Sequence, residues 1–316
     1  MNAQGFLEVA SGTGTMSAIR LVSSRGVDGL EVERVEIPRA GPGEALVRVH
    51  AAAITRDELE WPVDRLPAIP SYEMSGVIAA LGPNVFALAV GEPVWALTGF
   101  DRDGAAAEYA VVPASFLAPK PRTLGHLESA AIPLAGLTAW QGLFDHGGLR
   151  KGERVLIHGA AGGVGRFATQ LARRRGAYVI GTTSSTAVGH VLALGADEAV
   201  DRKAVRFEPA LAPVDLVFDT VGGEVLARSA AVLREGGRLV SVAEEPPAAV
   251  SEKAEATYFV VEPSREQLLE LARLVDEGAV RPAIDSVFPL AEARAAFERV
   301  MMRGKTGKVV LQVGDD

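Results

Sequence analysis

The sequence predicts an α/β protein of two domains: a small, partly closed β-barrel and a doubly wound parallel sheet covered by helices on both faces. Three observations predict it. The chain has 316 residues, enough for two cores at roughly 150 residues per domain. Its first third carries short alternating strands cut apart by Gly and Pro. From Arg154 onward, strand and helix patterns alternate around one glycine-rich turn.

Residues 1–15 lack the basic start and apolar stretch of a secretory signal and are expected to form a flexible tail. "LEVERVEI" and "EALVRVHAAAI" alternate apolar and polar residues, with "GPG" at 41–43 as the turn between them. "SGVIAALG", "EPVWAL" and "AEYAVVP" follow as further short strands, a spacing that suits a partly closed barrel. Near Ala130 the pattern changes, and "ESAAIPLAGLTAWQGLF" reads as helix interrupted at Pro133. Strands are predicted at 154–158, 177–181, 215–219 and 238–242, and helices at 164–175, 187–194 and 224–234. Such alternation implies a parallel sheet buried on both faces. A further helix is predicted at 265–278. "TYFVVEP" at 257–263 reads as an edge strand, and "KVVLQV" returns to strand and is expected to rejoin the first domain.

Composition excludes several function classes. Apolar residues make up 48% and charged residues 23% of the chain, an ordinary soluble globular balance. The net charge of −8 argues against a general nucleic-acid binder, which carries a basic face. With no cysteine, disulfides, thiolate zinc sites and a cysteine nucleophile are excluded. No apolar stretch approaches the ~18 residues that span a bilayer. The expected setting is cytoplasmic, with no membrane or nucleic-acid partner.

The glycine turn carries the chemistry. In "VLIHGAAGGVGRFATQLARRRG", Val155 to His158 is a strand, and Val164, Phe167, Ala168 and Leu171 give the following helix one apolar face. Amides at a helix start are unpaired, and the helix dipole adds positive potential, so a pyrophosphate fits there if no side chain blocks it. Gly162 and Gly163 remove such side chains, and Gly165 lets the helix pack close to the sheet. The context of strand, turn and helix predicts dinucleotide binding. An NAD-binding unit carries Asp or Glu about 20 residues further on. Here Ser184 stands 24 positions after Ala160, beside Thr183 and Ser185, and none of these is acidic. A carboxylate would repel a 2′-phosphate, whereas hydroxyls donate to it, so NADPH is the predicted cofactor. Arg202 is a candidate for added positive charge; a solvated surface role is the competing reading.

These segments, taken with "PGEALVRVHAAAIT", "IPSYEMSGVIAALG", "LGADEAVD", "VFDTVGGE", "GGRLVSV" and "GKVVLQV", resemble the medium-chain dehydrogenase/reductase superfamily, and within it the zinc-free NADPH:quinone oxidoreductase-like branch. The resemblance implies a GroES-like catalytic domain over 16–129 and 280–316, a Rossmann domain over 130–279, and a cleft between them. It places Thr55 and Ser71-Tyr72-Glu73 where zinc-dependent members keep ligands, and a third ligand position near Leu134 or Ala135. None of these sets suits zinc, and the five histidines have no HxxxH or HExxH spacing. No catalytic zinc is expected, and structural roles are expected for the histidines.

The resemblance also implies hydride transfer to a quinone or an α,β-unsaturated carbonyl. Charge growing on the acceptor oxygen needs a hydrogen-bond donor. Thr55 and Tyr72 are the catalytic candidates; packing in the barrel wall is the competing reading for Tyr72, and a bond to its own backbone for Thr55. Glu73 is expected to form a structural ion pair with an arginine. Arg56, Trp61 and Phe100 are candidates for the acceptor pocket. Thr138 is implied near the nicotinamide. Ala161 and Val164 in the turn, Val221 in "VFDTVGGE" and Val242 in "GGRLVSV" complete the candidate cofactor contacts. Relatives pair through the outer edge of the Rossmann sheet, so a homodimer is expected. Two other classes stay open: a non-catalytic NADPH-binding sensor or regulatory protein, and an interaction protein that keeps the fold without turnover.

Overall fold

The computed structural model describes residues 14–302 and 304–314. The expected tail therefore lies outside the described residues as far as residue 13. Thr15 does not belong to it, because strand β1 (Thr15–Leu21) begins there and pairs antiparallel with β2 (Leu30–Glu36).

The described residues form two compact units, one within 14–134, 262–277, 282–302 and 304–314, the other of 135–261 and 278–281. In the first, β3 (Glu44–Ile54), β4 (Glu73–Leu81), β5 (Pro93–Leu97), β6 (Tyr109–Pro113) and β7 (Ala118–Pro119) follow, then helix α1 (His126–Ala130). β3 is long because its apolar run from Ala45 to Ile54 pairs on both sides, with β4 and with β6. The second unit starts within helix α2 (Pro133–Trp140), which continues as a π-helical turn to His146. Then come β8 (Arg154–His158), α3 (Gly163–Arg175), β9 (Tyr178–Thr183), α4 (Val188–Ala193), β10 (Glu198–Asp201), α5 (Phe207–Ala210), β11 (Val214–Asp219), α6 (Gly223–Arg228), β12 (Leu233–Ser241), α7 (Ala248–Ser251) and β13 (Glu255–Tyr258). The chain returns to the first unit through α8 (Arg265–Asp276), β14 (Ile284–Pro289), α9 (Ala293–Met301) and β15 (Lys308–Gln312).

The seven-stranded sheet of the first unit has the order β14-β15-β3-β4-β5-β7, with β6 paired to β3. β15 lies antiparallel on β3, with Val309 opposite Ile54, so the last strand does rejoin the first domain. One apolar cluster packs around Met16, Ile19, Leu21, Phe297 and Leu311, and another around Val47, Met74, Ile78 and Leu117.

The six-stranded parallel sheet of the second unit has the order β10-β9-β8-β11-β12-β13. From β8 the chain runs outward through β9 and β10, then crosses back to β11 and runs the other way. The order reverses between β8 and β11, where a parallel α/β sheet opens a crevice beyond its carboxyl ends. Leu156, Ile180, Val217 and Leu239 fill the sheet centre.

Two predicted elements differ. The helix predicted over 224–234 stops at Arg228, continues as a 3-10 turn to Val232, and gives way to β12 at Leu233. Leu233 pairs with Val214 on β11, and that ladder outweighs local helix preference. Of "TYFVVEP" only Thr257 and Tyr258 lie in β13; the ring of Phe259 instead stacks on His146 at 4.3 Å.

Candidate functional site

The glycine turn sits at the carboxyl end of β8. Gly159 has φ +72°, which a side chain tolerates badly. Gly165 has no room either: a Cβ there would lie 2.2 Å from the Gly159 carbonyl oxygen. The turn therefore folds only with glycine at both points. Ala160 N–H donates to the Thr182 carbonyl and Gly162 N–H to that of Gly159. No side chain caps the start of α3 at Gly162, so its first amides have no helical partner. Uncapped amides at a helix start suit an anion, and glycine at 162 and 163 sets no side chain over them, a chemistry that fits a dinucleotide pyrophosphate. The candidate residues Ala161, Gly162, Gly163, Val164 and Gly165 all lie in this turn and the first turn of α3.

Apart from Thr138, the other candidate cofactor residues of this unit lie at the carboxyl ends of strands in the same sheet. Thr183 ends β9, and Ser184 and Ser185 follow it, with Ser184 Oγ 3.2 Å from Thr186 Oγ1. The exposed Arg202 donates its backbone N–H to the Thr183 carbonyl. Val221 N–H reaches the Asp219 carboxylate, and Val242 N–H the Asp219 carbonyl, at the ends of β11 and β12. Asp219 is fully buried, and burial raises its pKa; it also takes the Ser241 hydroxyl at 2.9 Å. Thr138 is buried on α2.

His158 holds the end of β8 in place. Its Nδ1 is 3.0 Å from Thr182 Oγ1 and its Nε2 3.0 Å from Ser229 Oγ. The Ser229 hydroxyl is committed to the Val225 carbonyl, so Nε2–H donates to Ser229 and Nδ1 accepts from Thr182. Burial drives its pKa down to about 3, and the ring stays neutral. His126, whose Nδ1 is 2.8 Å from Ser75 Oγ, stacks on His50 at 4.4 Å. Among the described residues, no three His, Cys, Asp or Glu side chains converge to hold a metal.

In the first unit, the catalytic candidates fall into two environments. Tyr72 is fully buried, with its ring 5.6 Å from Trp61 and 5.5 Å from Phe100. Its hydroxyl accepts from Arg65 Nη2 at 3.0 Å, and the same nitrogen donates to the Phe100 carbonyl. Burial pushes the phenol up to about 12 against the opposing pull of Arg65. Tyr72, Trp61 and Phe100, three of the residues singled out in the sequence, therefore form one aromatic cluster.

Thr55 is half-buried and belongs to a charged cluster. β15, β3 and β4 lie side by side and bring Lys308, Thr55 and Glu73 together. Lys308 Nζ is 2.9 Å from Thr55 Oγ1 and 2.5 Å from Glu73 Oε1. Glu73 Oε2 accepts the Leu134 N–H. Glu73 is thus in an ion pair, as expected, but with Lys308 and not with an arginine. An ammonium against both Thr55 and Glu73 makes this donor set a poor one for a divalent cation.

Glu58 completes the cluster and was not singled out from the sequence. It is fully buried, and it accepts the Thr55 N–H at 2.9 Å and the Ser71 N–H at 3.2 Å. Those bonds pin Ser71, whose φ of +67° is unusual for a residue with a side chain. Desolvation pushes the Glu58 carboxyl up to about 8, against the pull of the two amides and Lys308. The local signal was present as Thr55-x-x-Glu58, the spacing in which a Glu reaches back to a backbone amide. Lys308 carries no local signal, since only strand pairing places it. Arg56 is exposed, and its guanidinium contacts the Met301 carbonyl at 3.4 Å.

Comparison with known proteins agrees with this architecture. Residues 41–122 match the alcohol dehydrogenase GroES-like domain, and residues 194–311 match the zinc-binding dehydrogenase family. The chain is 34% identical to a protein of Arthroderma benhamiae named "Probable zinc-binding oxidoreductase, mitochondrial", over 90% of this chain and 92% of that one. It is also 34% identical to the 2-methylene-furan-3-one reductase of Solanum lycopersicum, over 90% of this chain and 76% of the other. Among solved structures, the quinone oxidoreductase from Coxiella burnetii superposes with a TM-score of 0.88 at 31% identity, covering 95% of this chain and 99% of that one. By sequence and by fold, the chain belongs to the medium-chain dehydrogenase/reductase superfamily of oxidoreductases.

Proposed function

We propose that the protein is a zinc-independent, NADPH-dependent oxidoreductase that reduces a quinone or an α,β-unsaturated carbonyl. The observation that carries this reading is the glycine cradle at the point where the strand order reverses, with hydroxyls in place of the acidic residue that selects NAD. The quinone oxidoreductase and furanone reductase relatives support the acceptor class. A reduced nicotinamide, when bound, supplies the hydride. The amides from Ala161 to Gly165 would hold its pyrophosphate, and Ser184, Ser185 and Arg202 its adenosine end.

The protein's own part is to orient the acceptor and donate a hydrogen bond to the charge that grows on its oxygen. Thr55 is the better placed of the two candidate donors. Its oxygen accepts from the Lys308 ammonium, which leaves its O–H free to donate and makes that proton more acidic. Tyr72 is buried within its aromatic cluster and tied to Arg65, an arrangement that favours a supporting role. The Lys308–Glu73 pair supports zinc independence, since it sets a fixed cation beside Thr55.

The test is to incubate the protein with NADPH and a panel of quinones and enals, and to follow loss of reduced-cofactor absorbance. Turnover that survives a chelator is expected. Thr55→Val should cut kcat about 100-fold, the usual cost of one such donor, whereas Tyr72→Phe should change it far less. Firm NADPH binding with no turnover on any acceptor would move the protein to the sensor class.

A further inference from the structure

We infer that Arg166 and His190 form the subsite that takes the 2′-phosphate of the cofactor, and that this pair sets the preference for NADPH. The inference rests on the dinucleotide reading of the glycine turn and names the residues behind its selectivity.

Arg166 follows Gly165 directly, in the first turns of α3. It is 4% exposed. Its Nε and Nη1 are buried and make no hydrogen bond. Burial alone pulls its pKa down, and no carboxylate counters that pull. Arginine is almost never buried without a partner, because removing an ion from water costs several kcal/mol unless another charge offsets it. A guanidinium left bare beside an anion cradle is therefore a site prepared for an anion.

His190 adds a second bare group. It lies on α4, and its Nε2 is buried without a hydrogen bond. Burial and then the nearby charge of Arg166 pull its pKa down. Packing sets the elements that carry the two residues close together. A Cβ on Gly181 of β9 would lie 2.7 Å from both the Ala160 Cβ and the Val191 Cγ1. The α4 turn that carries His190 is thus pressed against the glycine turn. The same helix is preceded by Ser184, Ser185 and Thr186.

Guanidinium, imidazole N–H and three hydroxyls make a set of donors with no acid among them. That set suits a phosphate monoester, whose oxygens match the fork of a guanidinium. NADH presents only a hydroxyl at that position and would leave Arg166 unpaired. Arg202, exposed at the end of β10, is left with a weaker and more screened contribution.

The experiment uses the full chain and direct titration by calorimetry. Wild type should bind NADPH more tightly than NADH, and 2′-phospho-AMP should raise its melting temperature where AMP does not. Arg166→Met should lower NADPH affinity about tenfold or more, the worth of a hydrogen bond to a charged group, and leave NADH affinity within about twofold. The unliganded Arg166→Met protein should melt no lower than wild type, because the variant removes an unpaired buried charge. Arg166→Lys should retain part of the preference. Equal loss of both cofactors in Arg166→Met, or equal stabilisation of wild type by 2′-phospho-AMP and AMP, overturns the inference while the dinucleotide reading stands. Failure of wild type to bind either dinucleotide overturns both.

Discussion

Glu58 shows how much of this site is set by single buried groups. Its carboxyl is held at a pKa of about 8, against an ordinary value of 4.5. Between those values the folded protein keeps a proton that the unfolded chain has lost. The stability from this group is fully present below pH 4.5 and is lost as pH rises through 8. The melting temperature should therefore carry a falling component from about pH 5 to pH 8, and Glu58→Gln should flatten it. Scanning calorimetry of both proteins across that range checks this; parallel profiles would show that Glu58 is ionised throughout. The residue scale is also where the sequence was least legible. Thr55 was found through its place in the family pattern, but Lys308 lies 253 positions away and meets it only because β15 pairs with β3. Tyr72 was found for the same reason as Thr55, yet its burial, which favours packing, depends on Trp61 and Phe100 closing around it. A motif marks a position; it does not say which way the surroundings close.

At the scale of elements, legibility was much higher, because period is a local property. The alternation in β2 and β3 and the apolar face of α3 are where the pattern put them. The misplaced ends have tertiary causes: β12 begins early because Leu233 finds Val214, and β13 ends early because Phe259 turns to His146. Helix α8 is a further case. The sequence grouped it with the nucleotide-binding domain, whereas it packs in the first unit, with Arg265 donating to the Leu117 carbonyl and Asp276 accepting from Thr123. The segments that follow β8 and β9 support one prediction each. Gly165→Ala would drive a Cβ into the Gly159 carbonyl and should destabilise the protein by about 1–3 kcal/mol, with dinucleotide binding lost even where the chain still folds. Thermal melts and titration of the refolded variant test this, and wild-type affinity in Gly165→Ala would remove the turn from the site. Ser184→Asp places a carboxylate where the 2′-phosphate is expected, so the variant should bind NADH more tightly than NADPH. Paired titrations decide it, and an unmoved preference would show that the hydroxyl loop does not touch the phosphate.

For the whole molecule, the open question is how the exposed sheet edge is covered. β13 ends the six-stranded sheet, so among the described residues no strand lies beside the backbone groups on its outer side. Tyr258 and Val260 at this edge are 36% and 57% exposed. Native proteins rarely leave such an edge open; they shorten it, charge it or cover it. Here the strand is short, at four residues, with one exposed charge at Glu255, whereas the segment from Thr257 to Val261 carries none. Covering by a second copy would close the apolar remainder of the edge, and closed two-fold pairing is the commonest way to achieve it. We therefore predict a homodimer in which two β13 strands meet across a two-fold axis and join the sheets. Light scattering at micromolar concentration should give twice the chain mass of 33.1 kDa. Tyr258→Lys puts a charge on the edge and should shift the protein toward monomer without lowering its melting temperature at high dilution, where wild type is also dissociated. A monomeric wild type would overturn the dimer, and a Tyr258→Lys protein that stays dimeric would place the interface elsewhere; either would leave the short length of β13 as the protection its edge has.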